Sequence, residues 1–221
     1  MDPDRARKEL ESISREVHEC TRCDLHCTAN RGVPGEGPSD TRIMLVGEAP
    51  GFNEDKQGRP FVGAAGKFLD DLLGFAGLER TDVFITNVVK HRPPDNRPPE
   101  LHELAACRPY LQRQIASINP VLIVTLGRFS LGTFFPGDRI SAVHGQLRVL
   151  DGRRFFTMYH PAAALHQQTL RDTLINDMKR LAAYIQGPEF AELSRTNEPN
   201  SVAAGRQNDS REEPPEQLTL F

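Results

Sequence analysis

The sequence predicts an α/β fold in which a parallel sheet is covered by helices on both faces. Short apolar runs bounded by turn-forming residues alternate with stretches of helical periodicity. Alternating strands and helices are typical of parallel sheets with helices on each side. A chain of 221 residues with 38% hydrophobic content can bury one such domain but leaves little material for a second.

The predicted elements follow one another from the first residues onward. Leu10, Ile13 and Val17 recur at helical spacing, which predicts an amphipathic helix over residues 4–19. The predicted strands are residues 42–47 (RIMLVG), 82–89 (DVFITNVV), 120–127 (PVLIVTLG) and 153–159 (RRFFTMY). The intervening helices cover residues 66–76, 99–118 and 170–184. We expect the second of these to be broken or kinked at Pro109 because proline cannot donate a helical hydrogen bond.

Beyond about Ile185 the periodic pattern stops. Residues 197–215 are rich in Asn, Ser, Gly, Glu and Pro, so we expect a domain over residues 1–186 and a disordered tail over residues 187–221. The formal net charge is −3; the tail carries seven acidic residues against three arginines, or −4, which leaves +1 for the rest. A nearly neutral body neither requires nor excludes a nucleic-acid partner.

No apolar run approaches the roughly 20 residues that span a bilayer. The charged residues at the start are not followed by the apolar core of a signal peptide. We therefore expect a cytoplasmic monomer with no membrane partner.

The four cysteines are unevenly placed, with Cys20, Cys23 and Cys27 close together and Cys107 far downstream. In a cytoplasmic chain this spacing is typical of a metal or cluster site rather than of a disulfide framework. A tight turn at Cys20-x-x-Cys23 can present two thiolates, and Cys107 with either His91 or Cys27 could complete four ligands. The alternative is a set of unrelated buried thiols.

Ligands of parallel α/β sheets gather beyond the carboxyl ends of the strands, and three of these segments carry motifs. The motifs resemble those of the family 4 uracil-DNA glycosylases: GEAPG at residues 47–51 with NEDKQGRPFVG at 53–63 and AGK at 65–67, TNVVK at 86–90 with RPPDNR at 92–97, and HPAA at 160–163. The resemblance runs from about Cys20 to Tyr184, with the motifs in the family's order. It implies a three-layer α/β/α sandwich around a mostly four-stranded parallel sheet.

The resemblance also implies a 4Fe-4S cluster held by four cysteines, and here the chain departs from the family. Cys20, Cys23 and Cys107 fit three ligand positions, whereas the family's VKCRPP reads VKHRPP, so His91 stands at the remaining one. Histidine can ligate iron through a ring nitrogen. Cys27 could replace His91 as the fourth ligand, and a degraded site without a cluster is the third alternative.

The implied activity is the excision of uracil from single- and double-stranded DNA to leave an abasic site, the first step of base excision repair. The base must leave the helix to be reached. Phe61 is then suited to stack on it, although an aromatic residue taken alone is more often part of a core. By resemblance Asn87 reads the N3 hydrogen and O4 of uracil, and Gly47 and Asn96 complete the substrate-binding residues.

Cleavage of the glycosidic bond leaves negative charge on uracil, chiefly at O2, and a cation-like sugar. The resemblance places His160 as the donor to O2. Residues 47–51 lack the water-activating aspartate of the best-known glycosylase families, so Glu48 and Glu54 are the carboxylates considered for positioning water or steadying the sugar. Their individual roles stay open. Plausible phosphate contacts are Arg59, Lys67, Lys90, Arg92 and Arg97.

Two rival functions remain open at this point. A related branch that becomes covalently trapped on its DNA also carries histidine after VK, but it uses another histidine in an arginine-rich inserted loop. Here residues 92–99 form a short loop with Asn96 instead, and His102 falls in the start of a predicted helix, which favours turnover. The second rival is a non-catalytic DNA-binding cluster module, against which the complete motifs at Glu48, Asn87 and His160 argue.

A peptide in the predicted tail resembles the QL-S/D-LF segment that bacterial proteins insert into the DNA polymerase sliding clamp. It consists of Gln217, Leu218, Thr219, Leu220 and Phe221. Glutamine offers an amide for hydrogen bonds, and the three large apolar side chains suit a pocket. The alternative is that these residues dock back onto the domain.

Overall fold

Among the residues that the structure describes, five strands form one mixed sheet in the order β2-β1-β3-β5-β4. The computed structural model describes residues 3–165 and 167–196. Within them the strands are β1 (Ile43–Gly47), β2 (Val83–Asn87), β3 (Leu122–Leu126), β4 (Gln146–Leu150) and β5 (Arg153–Met158). Strands β2, β1, β3 and β5 are parallel, and β4 pairs antiparallel with β5 at one edge. The predicted four-stranded parallel core is confirmed, and β4 is an edge strand that was not predicted.

Helices connect the strands and cover both faces of the sheet. They are α1 (Pro3–His18), α2 (Leu25–Thr28), α3 (Phe52–Gln57), α4 (Ala64–Phe75), α5 (Leu101–Ile118), α6 (Arg128–Phe134), α7 (Ile140–Val143), α8 (Gln168–Ile185) and α9 (Pro188–Thr196). Short 3-10 turns lie at Arg80–Asp82, Pro94–Asn96 and Pro161–Leu165. The predicted helices therefore correspond to α1, α4, α5 and α8.

Alternate residues of the strands enter two separate apolar layers. Ile43 and Leu45 of β1 pack in the layer built with α4 and α8, whereas Met44 and Val46 pack in the layer built with α5 and α6. Every residue of β1, β2 and β3 is buried, as expected for strands covered on both faces. The predicted three-layer α/β/α arrangement is confirmed.

Helix α5 passes through Pro109 without interruption, so the expected break is wrong. Proline inside a helix costs about 3 kcal/mol because it removes a hydrogen bond and crowds the preceding turn. Cys107, Leu111 and Ile115 bury one side of α5 in the sheet layer, and Tyr110 packs against α1. Most helical stability in proteins comes from such packing, which offsets the local cost.

Helical structure continues past the expected domain boundary at residue 187. Helix α9 packs Phe190, which is 9% exposed, against Tyr184 with the ring centroids 5.8 Å apart. Arg154 donates a hydrogen bond to Glu189 at 2.9 Å. The remaining tail residues, including the proposed clamp-binding peptide at 217–221, lie outside the described residues. In the part of the chain that the structure describes, no helix is both long and apolar enough to cross a bilayer.

Candidate active site

A cavity of about 290 Å³ opens beyond the carboxyl ends of the parallel strands. Its wall contains six of the side chains that the sequence indicated: Glu48, Glu54, Phe61, Asn87, Asn96 and His160. Gly47 packs directly against the side chains of Asn87 and Phe61. A Cβ added at Gly47 would be 2.4 Å from Asn87 Oδ1 and 2.6 Å from Phe61 Cζ. Only glycine leaves room for both groups. The structure thus brings the predicted base-binding and catalytic residues together around one small pocket.

Asn87 is the last residue of β2 and faces Gly47 across the β1–β2 pair. Its side chain is 1% exposed, and among the described residues its Oδ1 has no hydrogen-bond partner. A buried acceptor that lacks a donor costs about 1–3 kcal/mol. Such an atom in the wall of a cavity indicates that a bound ligand supplies the missing donor.

Phe61 has an unusual backbone conformation, with φ of 52° in the left-handed region. This region is disfavoured for a bulky residue and is found mainly at functional sites. The ring is stacked near that of His160, with the centroids 5.5 Å apart and the planes at 25°. Phe61 therefore forms a flat wall of the cavity beside the imidazole.

His160 follows β5 and is held as a neutral donor. Burial lowers its pKa from 6.5 to about 4, and the nearby Glu54 carboxylate only partly opposes this effect. The backbone N–H of Ala162 donates to Nδ1 at 3.1 Å. An Nδ1 that accepts a hydrogen bond in a neutral ring leaves the proton on Nε2. The ring can therefore offer an Nε2–H donor to a ligand.

The two carboxylates of the pocket have different surroundings. Oε1 of Glu54 accepts hydrogen bonds from the backbone N–H groups of Val62 and Gly63, each at 2.8 Å, so this carboxylate holds the loop that carries Phe61. Glu48 directly follows β1. Burial raises the pKa of Glu48, and the positive charge of Arg128 opposes that rise. Glu54 is thus engaged in hydrogen bonds within the protein, while Glu48 lies at a desolvated position beside the positive charge of Arg128.

Comparison with known proteins agrees with this arrangement. The sequence model of the Uracil DNA glycosylase superfamily matches residues 34–182. The type-4 uracil-DNA glycosylase of Sulfurisphaera tokodaii is 50% identical over 182 residues, covering 78% of this chain and 83% of that protein. The chain belongs to the type-4 uracil-DNA glycosylases. Two further type-4 relatives are those of Archaeoglobus fulgidus, 44% identical over 78% of this chain and 91% of that protein, and Thermotoga maritima, 43% identical over 81% and 97%.

In this type-4 glycosylase the loop after β2 closes one side of the pocket. Asn96 ends the 3-10 turn Pro94–Asn96 with φ of 54°, and its Oδ1 accepts a hydrogen bond from Arg92 Nε at 2.7 Å. His102 lies in the first turn of α5, where its Nδ1 is 3.4 Å from the Glu100 carboxylate. This position in a regular helix agrees with the expectation that His102 is not part of an inserted loop.

The phosphate contact expected at Lys90 is wrong because its side chain is fully buried. Its ammonium donates to Thr86 Oγ1 at 2.7 Å, to Gln114 Oε1 at 2.7 Å and to the Asn87 carbonyl at 2.9 Å. Burial lowers the pKa of Lys90 to about 7. In the type-4 glycosylase described here, Lys90 fixes the end of β2 from inside rather than contacting DNA.

Three cysteines of the expected cluster site lie near one another between α1, α2 and α5. The pKa of Cys107 is raised to about 11, mainly by burial, and the neighbouring thiols of Cys23 and Cys20 contribute a smaller part of the rise. Cys107 Sγ accepts a hydrogen bond from the backbone N–H of Lys90 at 3.4 Å. Burial and a hydrogen bond with Cys20 raise the pKa of Tyr110 to about 12. Cys23 and Cys107 are therefore both desolvated, and Cys107 lies next to the loop that leaves β2.

The two candidates for the fourth ligand differ in exposure. His91 is 4% exposed and follows Lys90 in the same loop, and burial lowers its pKa, which favours the neutral ring that a metal ligand needs. Cys27 is exposed, and its Sγ lies 3.5 Å from Nε2 of its neighbour His26. Within residues 3–165 and 167–196, no group of three or more His, Cys, Asp or Glu side chains is arranged to hold a metal ion. The chemistry of the donors fits an iron–sulfur group, with thiols at Cys20, Cys23 and Cys107 from two segments and an imidazole at His91, which follows Lys90 in the chain.

Sequence reasoning missed the residues that support the pocket from a distance. Arg80 donates to the Phe61 carbonyl at 3.1 Å, and Arg128 is the cation that acts on Glu48. Arg80 has no local signal because its partners lie 10 to 44 positions away. The PGEGP segment at residues 34–38 was a readable signal, since two glycines around one acidic residue indicate an unusual backbone path.

Proposed function

We propose that this chain hydrolyses the N-glycosidic bond of uracil in single- and double-stranded DNA and leaves an abasic site for base excision repair. The observation that carries the proposal is Asn87, which lines a cavity of about 290 Å³ and whose buried Oδ1 has no partner among the described residues. The flat ring of Phe61 and the neutral donor of His160 complete the environment of a single base. Membership of the type-4 uracil-DNA glycosylases supports the same reaction.

Asn87 selects uracil by the direction of its hydrogen bonds. Oδ1 accepts from N3–H of uracil, and the amide NH₂ group donates to O4. Cytosine presents an acceptor at N3 and an amino group at C4, so both pairings would be reversed. A site with buried polar groups rejects such a mismatch strongly because the groups stay unpaired.

His160 stabilises the charge that develops as the bond breaks. Negative charge accumulates on O2 of the departing uracil, and the Nε2–H of a neutral imidazole donates to it. Because the backbone of Ala162 already occupies Nδ1, the ring does not need to reorient during the reaction. A donor of this kind stabilises the transition state more than the ground state, which is the condition for rate enhancement.

The two carboxylates then divide the remaining tasks. Glu54 positions the loop beneath Phe61 through Val62 and Gly63. Glu48 orients the attacking water and stabilises the cation-like sugar, since its charge lies at a desolvated strand end near Arg128. Gly47 leaves room for the Phe61 and Asn87 side chains that contact the base, and Asn96 contacts the substrate from the opposite loop.

We also propose that Cys20, Cys23, His91 and Cys107 hold a 4Fe-4S cluster. When bound, the cluster acts as a structural cross-link between α1, the loop after β2 and α5. Its protein ligands thereby fix the segment that runs from Asn87 to Asn96. The exposed Cys27 is not required.

A second partner is proposed on the sequence of residues 217–221 alone. Their Gln-Leu-Thr-Leu-Phe order supports insertion into a hydrophobic pocket of the DNA polymerase sliding clamp. Tethering to the clamp would raise the concentration of the enzyme near newly made DNA.

An excision assay tests the proposed function directly. Cluster-replete full-length protein is incubated with fluorescent oligonucleotides that contain uracil, thymine mispairs, hypoxanthine or xanthine, without divalent metal. Release of uracil and formation of an alkali-labile abasic site are expected. Denaturing electrophoresis of the same samples detects a protein–DNA adduct, which would identify the covalently trapped branch. Absence of both products would refute the proposal and favour a non-catalytic DNA-binding module.

A further inference from the structure

Arg80 connects the pocket's aromatic wall to the strand that carries Asn87. It lies in the 3-10 turn Arg80–Asp82 directly before β2. Its guanidinium donates to the carbonyl of Phe61 at 3.1 Å and to the carbonyl of Pro60. We propose that Arg80 is a positioning residue that holds the ring of Phe61 at the distance from Asn87 that a stacked uracil needs. The inference rests on the proposed function.

The backbone of Phe61 needs such support. A φ of 52° is disfavoured for an aromatic residue and persists only where the surroundings enforce it. Gly66 enforces it from one side, because a Cβ there would lie 1.9 Å from the Phe61 carbonyl oxygen. Arg80 acts on the same carbonyl with a charged, planar donor group, whose paired N–H groups fix direction as well as distance. The strained turn is therefore held between a glycine and a guanidinium.

Glu36 links Arg80 to strand β2. Its backbone pairs with Ile85 of β2 through hydrogen bonds of 3.0 and 2.8 Å, two residues before Asn87. Gly37 has φ of 134°, and a Cβ there would lie 2.2 Å from the Val83 carbonyl oxygen, so glycine is required for this close approach. The Glu36 carboxylate then accepts a hydrogen bond from Arg80 Nε at 2.7 Å. Phe61 and Asn87 are thus both positioned with respect to β2.

Arg59 provides a matched control on the same carboxylate. Its guanidinium donates to Glu36 at 2.7 and 3.0 Å, but its side chain is 57% exposed, compared with 20% for Arg80. Among the described residues, the guanidinium of Arg59 donates to Glu36 and not to the turn of Phe61. Replacing Arg59 therefore removes a similar ion pair without removing a donor to the Phe61 carbonyl.

A double-mutant cycle with the cluster-replete full chain tests the inference. Arg80→Met is expected to raise KM for uracil-containing oligonucleotide and the inhibition constant of free uracil by about tenfold or more, the scale of a misplaced contact group. In a Phe61→Ala background the same substitution should change either constant less than twofold. Arg80→Lys, which keeps the charge but loses the planar fork, should fall between wild type and Arg80→Met. Arg59→Met, whatever its own effect, should show no coupling to Phe61.

Two results would overturn the role of Arg80. The first is that Arg80→Met changes KM and the inhibition constant of uracil equally in the wild-type and Phe61→Ala backgrounds. The second is that Arg80→Met lowers the active fraction or kcat while KM and the inhibition constant of uracil stay unchanged. If Arg80→Met does not fold, the cycle is run with Arg80→Lys and carries the same criteria. A wild-type enzyme that releases no uracil refutes the proposed function itself, whereas an active wild type without coupling refutes only this inference.

Discussion

His160 combines two features that the proposed chemistry requires, a low pKa and a fixed tautomer. Removing the ring in His160→Ala is expected to slow the chemical step by about 10²-fold or more, the usual scale for losing one preorganised donor to developing charge. Single-turnover excision at saturating enzyme measures that step. His160→Asn retains an N–H donor and should lose less than His160→Ala. Rates near wild type in both variants would exclude His160 from the catalytic residues.

The same residue predicts a pH dependence of stability. Burial lowers the pKa of His160 from 6.5 to about 4, so the unfolded chain binds a proton at this residue over a range in which the folded chain does not. The free energy of unfolding should therefore fall as the pH is lowered from about 6.5 to about 4. His160→Asn lacks this contribution. The difference in unfolding free energy between wild type and variant should shrink across that range in chemical denaturation, and a constant difference would contradict the assignment.

Asn87 should control which base is excised. Asn87→Asp replaces the amide donor with a carboxyl oxygen, so the pairing with O4 of uracil is lost and uracil excision should fall by about 10²-fold or more. A protonated carboxyl group has one donor and one acceptor, so it can pair with N3 and the amino group of cytosine as well as with O4 and N3–H of uracil. The ratio of cytosine to uracil excision should therefore be higher than in wild type. Asn96→Asp changes the same residue type at the exposed side of the pocket and should leave that ratio unchanged. Equal changes in the two variants would contradict a specificity role for Asn87.

The roles of individual residues could be predicted from the sequence where a motif lies at the end of a strand. They could not be predicted where the role depends on whether the side chain is buried. Asn87 and His160 follow apolar strands in recognisable strings, so both could be assigned to the pocket. Lys90 is part of the same string, yet its side chain turns inward to Thr86 and Gln114. A lysine with that environment looks identical in sequence to an exposed one, since its partner Gln114 lies 24 positions away.

The same limit holds for secondary-structure elements. The four parallel strands were predictable because both of their faces are buried, which produces continuous apolar runs. Strand β4 is an edge strand with mostly exposed residues, so its sequence QLRVL carries no such run. Helix α9 is short and polar, and it contacts the domain through Phe190, which packs against Tyr184, and through Glu189, which accepts a hydrogen bond from Arg154. Helix α5 shows the reverse case, in which packing overrides the local signal of Pro109.

The surroundings of the proposed cluster lead us to expect different effects on iron content when Cys107 and Cys27 are replaced. Cys107 is 2% exposed and lies near Cys20 and Cys23, whereas Cys27 is exposed beside His26. Iron content and the visible absorption band should survive Cys27→Ala and fall strongly in Cys107→Ala. His91→Cys, which restores the residue found in the family's motif, should retain the band with altered shape. Loss of iron in Cys27→Ala would instead assign the fourth ligand to Cys27.

At the scale of the whole molecule, charge is distributed in a way that suits repeated turnover. Residues 187–221 carry a formal charge of −4, and the remaining residues carry +1. Each neutralised phosphate adds salt-dependent affinity and slows release, so a nearly neutral body allows the enzyme to leave each site. Weak general affinity for DNA makes localisation by a protein partner more valuable, because the enzyme must still reach regions where misincorporated uracil appears.

The peptide at residues 217–221 is the proposed means of that localisation. Leu218, Leu220 and Phe221 supply apolar anchors, and Gln217 supplies an amide donor and acceptor. Deleting residues 217–221 should abolish binding to the purified sliding clamp in calorimetry while leaving excision from a short oligonucleotide unchanged. Thr219→Ser should retain binding because that position varies between serine and aspartate in the peptide that it resembles, whereas Leu220→Ala should weaken binding strongly. Equal clamp binding by the truncated and complete chains would refute the assignment, and lower excision by the truncated chain on a short oligonucleotide would indicate that these residues act within the domain instead.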